Sequence, residues 1–197
     1  MPAPLEAGTF LIASLGLEDP NFTRTVVLLL QHVPDEVTLG VVLNRPLGDR
    51  VKLYPGDELK SLADGLESVT GEASSMFYQG GPVEPGSLIF LHRVPDLEDR
   101  GAEIVPGLYA GGDLDALRAR SAAAEADEPL LRFYLGYADW APGQLEAGIS
   151  LGAWILCPGE VDLVFARDPD TVWQRALHSL GGKYVPMSYI PEDPSQN

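Results

Sequence analysis

The stretch from Gly8 to Pro46 constrains the fold of this chain more than any other part, because strand-like apolar runs follow one another there with turn residues between them. Thr25 to Gln31 is a continuous run rich in Val and Leu, which is typical of a strand buried on both faces. The segment 33–36, which contains Pro34, Asp35 and Glu36, interrupts the apolar pattern before it resumes. Thr25–His32 and Val37–Asn44 are therefore predicted to pair as an antiparallel hairpin.

A polar turn leads into this hairpin. Asp19 can accept hydrogen bonds from the amides that follow it, and Pro20 fixes φ for a helical turn, so the pair indicates a turn between two strands. Thr9–Ser14, a short apolar run opened by a glycine, is the predicted strand before the turn. Asn44-Arg45-Pro46 ends the last strand of the stretch, because proline cannot donate to a strand ladder.

The remainder of the chain alternates short strands and helices. Strands are predicted at Met76–Gln79, Ser87–His92, Ile104–Ala110 and Leu130–Ala138, and a strand pair at Ala153–Cys157 with Val161–Phe165. Helices are predicted at Glu58–Leu66, at Leu114–Ala122 with Asp113 as N-cap, and at Asp170–Leu180, and a further short helix is predicted to begin in Pro142–Glu146. No internal repeat or low-complexity linker divides the chain. We expect one α+β domain over residues 1–190 with a mixed, largely antiparallel sheet and surrounding short helices, and a disordered tail at 191–197.

The net charge and the number of cysteines limit the classes of ligand and partner that this chain can bind. A formal net charge of −16, with 13 Lys and Arg and none of them in a run, opposes binding to nucleic-acid phosphates and to anionic membranes. The N-terminus lacks a signal-peptide pattern, and no apolar run approaches the roughly 18 residues of a membrane span. Cys157 is the single cysteine, which excludes an internal disulfide and a multi-cysteine zinc site. These features predict a cytoplasmic protein without a nucleic-acid or membrane partner.

Known catalytic motifs do not fit. Gly148–Gly152 satisfies the G-x-S-x-G pattern around Ser150, and Asp162 and His178 follow in the order of a catalytic triad. A nucleophile elbow needs a strand before the serine and a helix after it, whereas here a helix precedes Ser150 and a strand follows. We therefore expect Ser150 to have no catalytic role. Cys157, at the end of an apolar strand, is expected to be a buried thiol.

Metal and cofactor patterns are also missing. His32, His92 and His178 lie far apart in the sequence, without the spacing of a zinc-binding helix. His32 and His92 each close an apolar strand, where a histidine is more often bonded to the backbone than to a metal. The phosphate-binding patterns G-x-G-x-x-G and G-x-x-x-x-G-K-[ST] do not occur. The sequence thus predicts neither a metal site nor a cofactor.

Polar residues and glycines at strand ends remain as candidates. They are Asp19, Asn21, Arg24, His32, Asn44, Arg45, Gly80, Gly81, Gly111, Gly112 and Asp113. One interpretation is structural: the aspartates cap, the glycines adopt positive φ, and the arginines pair with carboxylates. The other is a cleft in which an arginine and exposed glycine amides hold a small anion or a peptide carboxylate. The residues alone leave both interpretations open.

Hairpin geometry selects a subset of these candidates. Antiparallel pairing brings the beginning of the first strand beside the end of the second, so their polar residues share one edge of the sheet. The predicted ligand site is shallow, lies near the Gly80-Gly81 turn, and comprises Asn21, Arg24, Asn44, Arg45, Gly80 and Gly81. His32 lies at the turn end of the hairpin, roughly 25 Å away at about 3.3 Å per residue, and is not expected to act with them.

Five motifs in order resemble a known family. They read DPNFTRTVVLLLQH, LGVVLNRPL, YQGGPVEPGSLIFLH, YAGGDLDAL and RFYLGYADWAPGQLEAGISLGAW, within Gly8 to Phe165. This order is similar to that of the YqgE/AlgH family. The resemblance implies a single bacterial α+β domain with a small barrel-like sheet and surrounding helices. Members of the family have no established enzymatic activity, and the resemblance also implies a label as a transcriptional regulator. This acidic chain has no helix-turn-helix pattern that would support that label.

Two classes of function follow from these observations. The first is a non-catalytic binding or regulatory protein that takes a small anionic ligand or a protein partner. This class is favoured because no nucleophile and base stand together in the sequence. The alternative is an enzyme of unrecognised type acting on a small anionic substrate, with Asp19, His32 or Asp113 as its acid or base. The oligomeric state does not follow from the sequence.

Overall fold

The computed structural model describes residues 3–54, 57–70, 76–123 and 129–191. Strands β1 to β9 span Thr9–Ala13, Val26–Gln31, Thr38–Val42, Phe77–Gln79, Val83–His92, Ala102–Val105, Leu108–Ala110, Leu131–Trp140 and Trp154–Pro158. Helices α1 to α6 span Asp57–Thr70, Leu114–Ala123, Gln144–Ser150, Val161–Val164, Val172–Leu180 and Tyr184–Ser188. Short 3₁₀ helices cover Gly48–Leu53 and Pro169–Thr171. Apart from Pro191, the predicted disordered tail lies outside the described residues.

The strands form one curled sheet in the order β6-β7-β5-β8-β3-β2-β1-β9, with β4 joined to β8. All neighbours along this path are antiparallel, and β4 is parallel to β8, so the sheet is mixed and largely antiparallel as predicted. A single α+β domain with a half-barrel sheet and short helices therefore confirms the expected fold.

Strand β8 changes partners along its length. Its first half pairs with β5 and β4, and its second half pairs with β3. Gly136 lies between the halves at a φ of 70°, a left-handed conformation that suits glycine, and the register of β5 shifts beside it. This bulge allows β8 to pair with β5 along its first half and with β3 along its second half.

Strand β4 fills the gap where β3 and β8 diverge. The N–H of Gly80, just after β4, donates to the carbonyl of Leu135 in β8 at 2.8 Å. The N–H of Val42 in β3 donates to the carbonyl of Gly80 at 2.8 Å. One residue therefore joins both strands, and this junction positions the candidate ligand site.

Apolar residues cover both faces of the sheet. Helix α5 packs its predicted stripe against β1 and β2, and Val172, Trp173, Ala176 and Leu177 are buried there. The indole N–H of Trp173 donates to the carbonyl of Ala13 at 2.8 Å. The opposite face of β1 to β3 packs against α3, and α1 and α2 cover β4, β5 and the first half of β8.

Several local predictions are confirmed. The hairpin of β2 and β3 has Val27 opposite Val42, and the carboxylate of Asp113 accepts a hydrogen bond from the N–H of Ala116 at 3.0 Å as an N-cap. Helix α3 ends at Ser150 and β9 follows, which is the wrong order for a nucleophile elbow.

Two predicted elements differ from the structure, and one helix was not predicted. Residues 161–165 contain helix α4 rather than a strand, and β9 pairs with β1 instead. A five-residue segment with four apolar residues suits either element, and burial of Leu163 and Val164 against α5 favours the helix. Residues 104–110 contribute to two strands, β6 and β7, because Gly107 at a φ of 84° turns the chain between them. Helix α6 was not predicted.

Candidate functional site

The turn before β2 is organised by Asp19. Its carboxylate accepts hydrogen bonds from the backbone N–H and the side-chain amide of Asn21, at 2.9 and 3.1 Å. Its carbonyl accepts from the N–H groups of Phe22 and Thr23. These bonds confirm the predicted capping role of Asp19. They also orient the amide nitrogen of Asn21 toward Asp19, so the amide oxygen stays available at the surface.

The buried side chain of Asn44 links the end of strand β3 to the beginning of strand β2. The side chain accepts a hydrogen bond from the N–H of Val26 at 3.0 Å and donates one to the carbonyl of Arg24 at 2.9 Å. Asn44 is buried, and its amide replaces one rung of the β2–β3 ladder. Asn44 therefore has a structural role, and it does not line the cavity formed by its neighbours.

Arg24 points away from the predicted site. Its backbone has a φ of 52°, its guanidinium donates to the carbonyl of Ile190 at 2.5 Å, and the same group lies 4.6 Å from the ring centre of Trp173. Arg24 therefore ties the hairpin to the segment after α6 rather than facing Arg45. The predicted convergence of Arg24 with Asn44 and Arg45 around one pocket is wrong, because the left-handed backbone turns Arg24 toward the C-terminal segments.

Arg45 does line a cavity, which we call the polar cavity. Its volume is about 100 Å³, and the lining residues are Pro20, Asn21, Val42, Arg45, Gln79, Gly81 and Pro82. The guanidinium of Arg45 donates to the carbonyl of Thr23 at 2.6 Å, and the carbonyl of Arg45 accepts from the N–H of Gln79 at 2.8 Å. Asn21, Arg45 and Gly81 thus come together as predicted, and Gln79 is a member that the sequence analysis missed.

The two glycines are required by packing rather than by an anion. The N–H of Gly80 is bonded to β8, so it is not available to a ligand. A Cβ at Gly80 would lie 2.3 Å from the carbonyl oxygen of Gly136, and one at Gly81 would lie 2.1 Å from the carbonyl group of Tyr137. Neither glycine has a left-handed backbone. In contrast, Gly111 and Gly112 do, with φ of 78° and 101°, as the structural interpretation predicts.

A larger and less polar depression, which we call the apolar groove, adjoins the polar cavity. Its volume is about 350 Å³, and the lining residues are Leu47, Arg50, Leu53, Tyr54, Gln79, Pro85 and Gly86. Gln79 lines both depressions. The guanidinium of Arg50 donates to the carbonyl of Pro46 at 2.9 Å and to that of Leu47 at 3.3 Å. Arg45 and Arg50 are therefore both held by main-chain carbonyls.

His32 lies at the turn end of the hairpin, as expected from the strand direction. Its Nδ1 is 2.8 Å from the hydroxyl of Thr38, and its Nε2 is 3.8 Å from the carboxylate of Glu146. This threonine–histidine–glutamate arrangement joins the β2–β3 hairpin to helix α3 and was not predicted. Thr38 is only 3% exposed. None of the three residues lines the polar cavity or the apolar groove.

The other histidines have structural contacts. His92 is fully buried; its Nε2–H faces the carbonyls of Arg100 and Gly111 at 3.0 and 3.1 Å, while Nδ1 accepts from the N–H of Val94. Burial lowers the pKa of His92, so the neutral ring suits this site. His178 contacts the hydroxyl of Tyr189 at 2.8 Å. Within the described residues, no three His, Cys, Asp or Glu side chains form a metal-binding group.

Neither potential nucleophile is prepared for catalysis. The hydroxyl of Ser150 donates to the carbonyl of Glu146 at 2.9 Å, within its own helix. Cys157 is 1% exposed, and burial raises the pKa of its thiol, which therefore stays protonated at neutral pH. In the described part of the chain, none of the helices combines the length and apolar character needed to span a membrane.

Comparisons with known proteins agree with this fold. A sequence model of the AlgH-like family matches residues 10–185. A "UPF0301 protein" from Chlorobium luteolum is 36% identical over 195 residues, covering 98% of this chain and 95% of the relative. One from Chlamydia felis is 35% identical over 191 residues, covering 97% and 95%.

Two solved structures resemble this chain over nearly its whole length. A protein from Corynebacterium diphtheriae, with 21% identity and a TM-score of 0.70, covers 96% of this chain and 95% of its own, and it shows the shared fold. The AlgH protein from Pseudomonas aeruginosa has 29% identity and a TM-score of 0.63, with 98% of each chain covered. On the family match, the full-length relatives and the common half-barrel, this chain belongs to the AlgH-like family.

Proposed function

We propose that this protein is a non-catalytic binding protein whose ligand presents an anionic group to Arg45 in the polar cavity. The observation that carries the proposal is the composition of the lining: the guanidinium of Arg45 and the amide side chain of Gln79 face the cavity, and no carboxylate lines it. A guanidinium offers donors in a fork that matches a carboxylate. The volume of about 100 Å³ suits one carboxylate-sized group.

The local charge supports an anionic ligand despite the acidic chain. The sequence has 29 Asp and Glu against 13 Lys and Arg, and several basic groups of the described residues, such as Arg93 and Arg120, pair with a carboxylate. Arg45 and Arg50 donate to main-chain carbonyls instead, and neither takes part in the ion pairs of the described residues. Asp19 lies beside the cavity, but its carboxylate is occupied by Asn21. Two positively charged side chains are thus presented along one surface.

The adjoining apolar groove indicates what else the ligand carries. Apolar surface lies directly beyond Gln79 and comes from Leu47, Tyr54 and Pro85. Leu53, which also lines the groove, is 81% exposed. A carboxylate in the polar cavity would therefore be followed by an apolar group in the groove, as at the C-terminus of a peptide ending in a leucine-like residue. The proposed ligand class is a carboxylate with an adjacent apolar side chain.

The lining also favours binding over catalysis. None of the residues around the polar cavity supplies a nucleophile or a group that exchanges protons near neutral pH. The enzyme alternative has its best geometry at His32, whose Nδ1 is 2.8 Å from the hydroxyl of Thr38, but the carboxylate of Glu146 is 3.8 Å from Nε2, beyond hydrogen-bond distance. Because Thr38 is 3% exposed and lies outside both depressions, a substrate has no described route to its hydroxyl. This alternative therefore has less support.

A matched pair of small ligands tests the proposal. In an NMR titration, N-acetyl-leucine is expected to shift the backbone amide signals of Asn21, Arg45 and Gln79. N-acetyl-leucinamide has the same apolar group without the charge, and it is expected to bind at least tenfold more weakly. The reason is that a hydrogen bond to a charged group contributes about 1.5–3 kcal/mol, and 1.4 kcal/mol is about a factor of ten in affinity.

Two charge-matched variants serve as controls for this titration. Arg45→Gln should remove the preference for the acid over the amide. Arg175→Gln makes the same charge change at an exposed position of α5 and should leave the preference unchanged. Equal binding of the acid and the amide by the wild-type protein would show that the polar cavity does not recognise a carboxylate. An unchanged preference for the acid in Arg45→Gln would show the same.

A regulatory role, if present, is expected to act through a ligand or protein rather than through DNA. The purified protein should not retain duplex DNA in a gel-shift assay at about 0.15 M salt, since a net charge of −16 opposes phosphate approach. Sequence-selective retention that weakens as salt increases would contradict this expectation. We also infer a cytoplasmic location, since Cys157 is an unpaired thiol.

A further inference from the structure

Two arginines are neighbours on one face of the paired strands β5 and β8. Arg132 in β8 lies opposite Leu91 in β5, and the N–H of Arg93 donates to the carbonyl of Leu130 at 3.1 Å. Residues two apart in a strand share a face, so Arg93 and Arg132 are diagonal neighbours. Both guanidinium groups lie against the ring of Phe165, at 4.4 and 6.0 Å from its centre. Like charges so placed repel unless a counter-charge is present.

Arg132 is buried, and its charge has little compensation. The residue is 2% exposed, and its Nη2 donates to the carbonyl of Ala166. Its Nε and Nη1 have no hydrogen-bond partner among the described residues. The ring of Tyr78 lies 4.6 Å from the guanidinium, which stabilises a cation only modestly. Buried charges are normally paired with a charge of opposite sign, and the ion pairs of the described residues leave Arg132 without one.

Tyr134 presents a third buried donor beside Arg132. It lies two residues further along β8 on the same face, it is fully buried, and its hydroxyl has no hydrogen-bond partner in the described part of the chain. Its ring centre is 5.6 Å from that of Tyr78. Burial raises the pKa of Tyr134, and the nearby charge of Arg132 opposes that rise. The hydroxyl therefore remains protonated and can donate a hydrogen bond to an acceptor.

We propose that Arg132 and Tyr134 form an internal site for a small inorganic anion of halide size, with Arg93 at its outer edge. A water molecule could accept hydrogen bonds from these donors, but it would leave the buried guanidinium charge of Arg132 without compensation. A halide accepts from several donors at once and supplies the missing charge. Arg93 is partly exposed, and it pairs at 3.6 Å with Asp162, which is largely exposed, so the anion is expected to enter from that side.

This site is independent of the polar cavity. Tyr78 and Gln79 are consecutive residues of β4, and successive side chains of a strand point to opposite faces. Tyr78 packs against Arg132 on one face, whereas Gln79 lines the polar cavity on the other. Failure of the carboxylate titration would therefore not count against the internal anion site. Absence of bromide from the internal site would likewise not count against carboxylate binding in the polar cavity.

Bromide is the probe for the test, because its anomalous scattering identifies it in a crystal. Crystals of the wild-type protein grown in about 0.1 M sodium bromide should show an anomalous peak within about 3.5 Å of Nε or Nη1 of Arg132 and near the hydroxyl of Tyr134. In solution, the Nε–H signal of Arg132 should shift and saturate as bromide replaces gluconate at constant sodium concentration. An ordered water at this position with no anomalous peak would overturn the proposal.

Variants then separate a specific site from general salt effects. Tyr134→Phe should weaken bromide binding at least tenfold in the same titration, and Arg132→Met should abolish it. Arg175→Met removes one positive charge from an exposed position and should leave bromide binding unchanged. If Arg132→Met does not fold, the wild-type Nε–H titration and Tyr134→Phe still decide the matter. Bromide that binds only near molar concentration, or that binds equally to Tyr134→Phe, would be an adventitious ion only and would contradict the site.

Discussion

Gly81→Ala is expected to lower the free energy of unfolding by at least about 3 kcal/mol, or to prevent folding. An added Cβ would lie 2.1 Å from the carbonyl carbon and oxygen of Tyr137 and 2.4 Å from the nitrogen of Ala138. These are main-chain atoms of β8, which is bonded to β3 on one side and to β5 on the other, so the strand cannot move aside. Urea unfolding followed by circular dichroism measures the loss.

Gly86→Ala is the matched control for this substitution. An added Cβ there meets no atom within 4 Å, and the backbone is not left-handed. Its free energy of unfolding should remain within about 0.5 kcal/mol of the wild-type value, or increase slightly as the unfolded chain loses freedom. If Gly81→Ala proved as stable as Gly86→Ala, the close packing of the residues after β4 on β8 would be refuted.

Asn44→Ala should be nearly as damaging, with an expected loss of about 3 kcal/mol. The substitution leaves the N–H of Val26 and the carbonyl of Arg24 without their partner. A buried polar group without a partner costs about 1–3 kcal/mol, and here two are affected. Hydrogen exchange offers a local measurement, because the amide of Val26 should lose protection beyond the global change in stability.

Asn21→Ala is the control for the asparagine substitution. Asn21 is exposed, and its side chain bonds only to Asp19 among the described residues. Its replacement should change the free energy of unfolding by less than about 0.5 kcal/mol. Similar stability of the two alanine variants would mean that Asn44 does not join the hairpin strands as the distances indicate.

These two positions also determine how the proposed function can be studied. Gly81 forms a wall of the polar cavity, and Asn44 fixes the strand ends that carry Arg45. Loss of ligand binding in either variant would therefore report unfolding or displacement rather than a lost contact. Arg45→Gln is the informative change, because Arg45 is partly exposed and, among the described residues, its guanidinium loses one hydrogen bond, to the carbonyl of Thr23.

Short-range patterns in the sequence predicted a large part of this fold. The β2–β3 hairpin, the capping by Asp19 and Asp113, and helix α5 with its buried stripe depend on residues only a few positions apart. The same kind of pattern rejected Ser150 as a nucleophile, since the order of helix and strand is a local property. The family followed from five ordered motifs, and the comparisons confirm it.

The tertiary structure alone decided which of the candidate residues meet. Arg24 bonds to Ile190, 166 positions away, and so leaves the predicted site, while Gln79 joins it because β4 inserts between β3 and β8. The approach of Arg132 and Tyr134 to Tyr78 depends on the parallel pairing of β4 with β8. Such contacts arise from the path of the whole chain, and a local sequence pattern carries no information about a partner more than 50 residues distant.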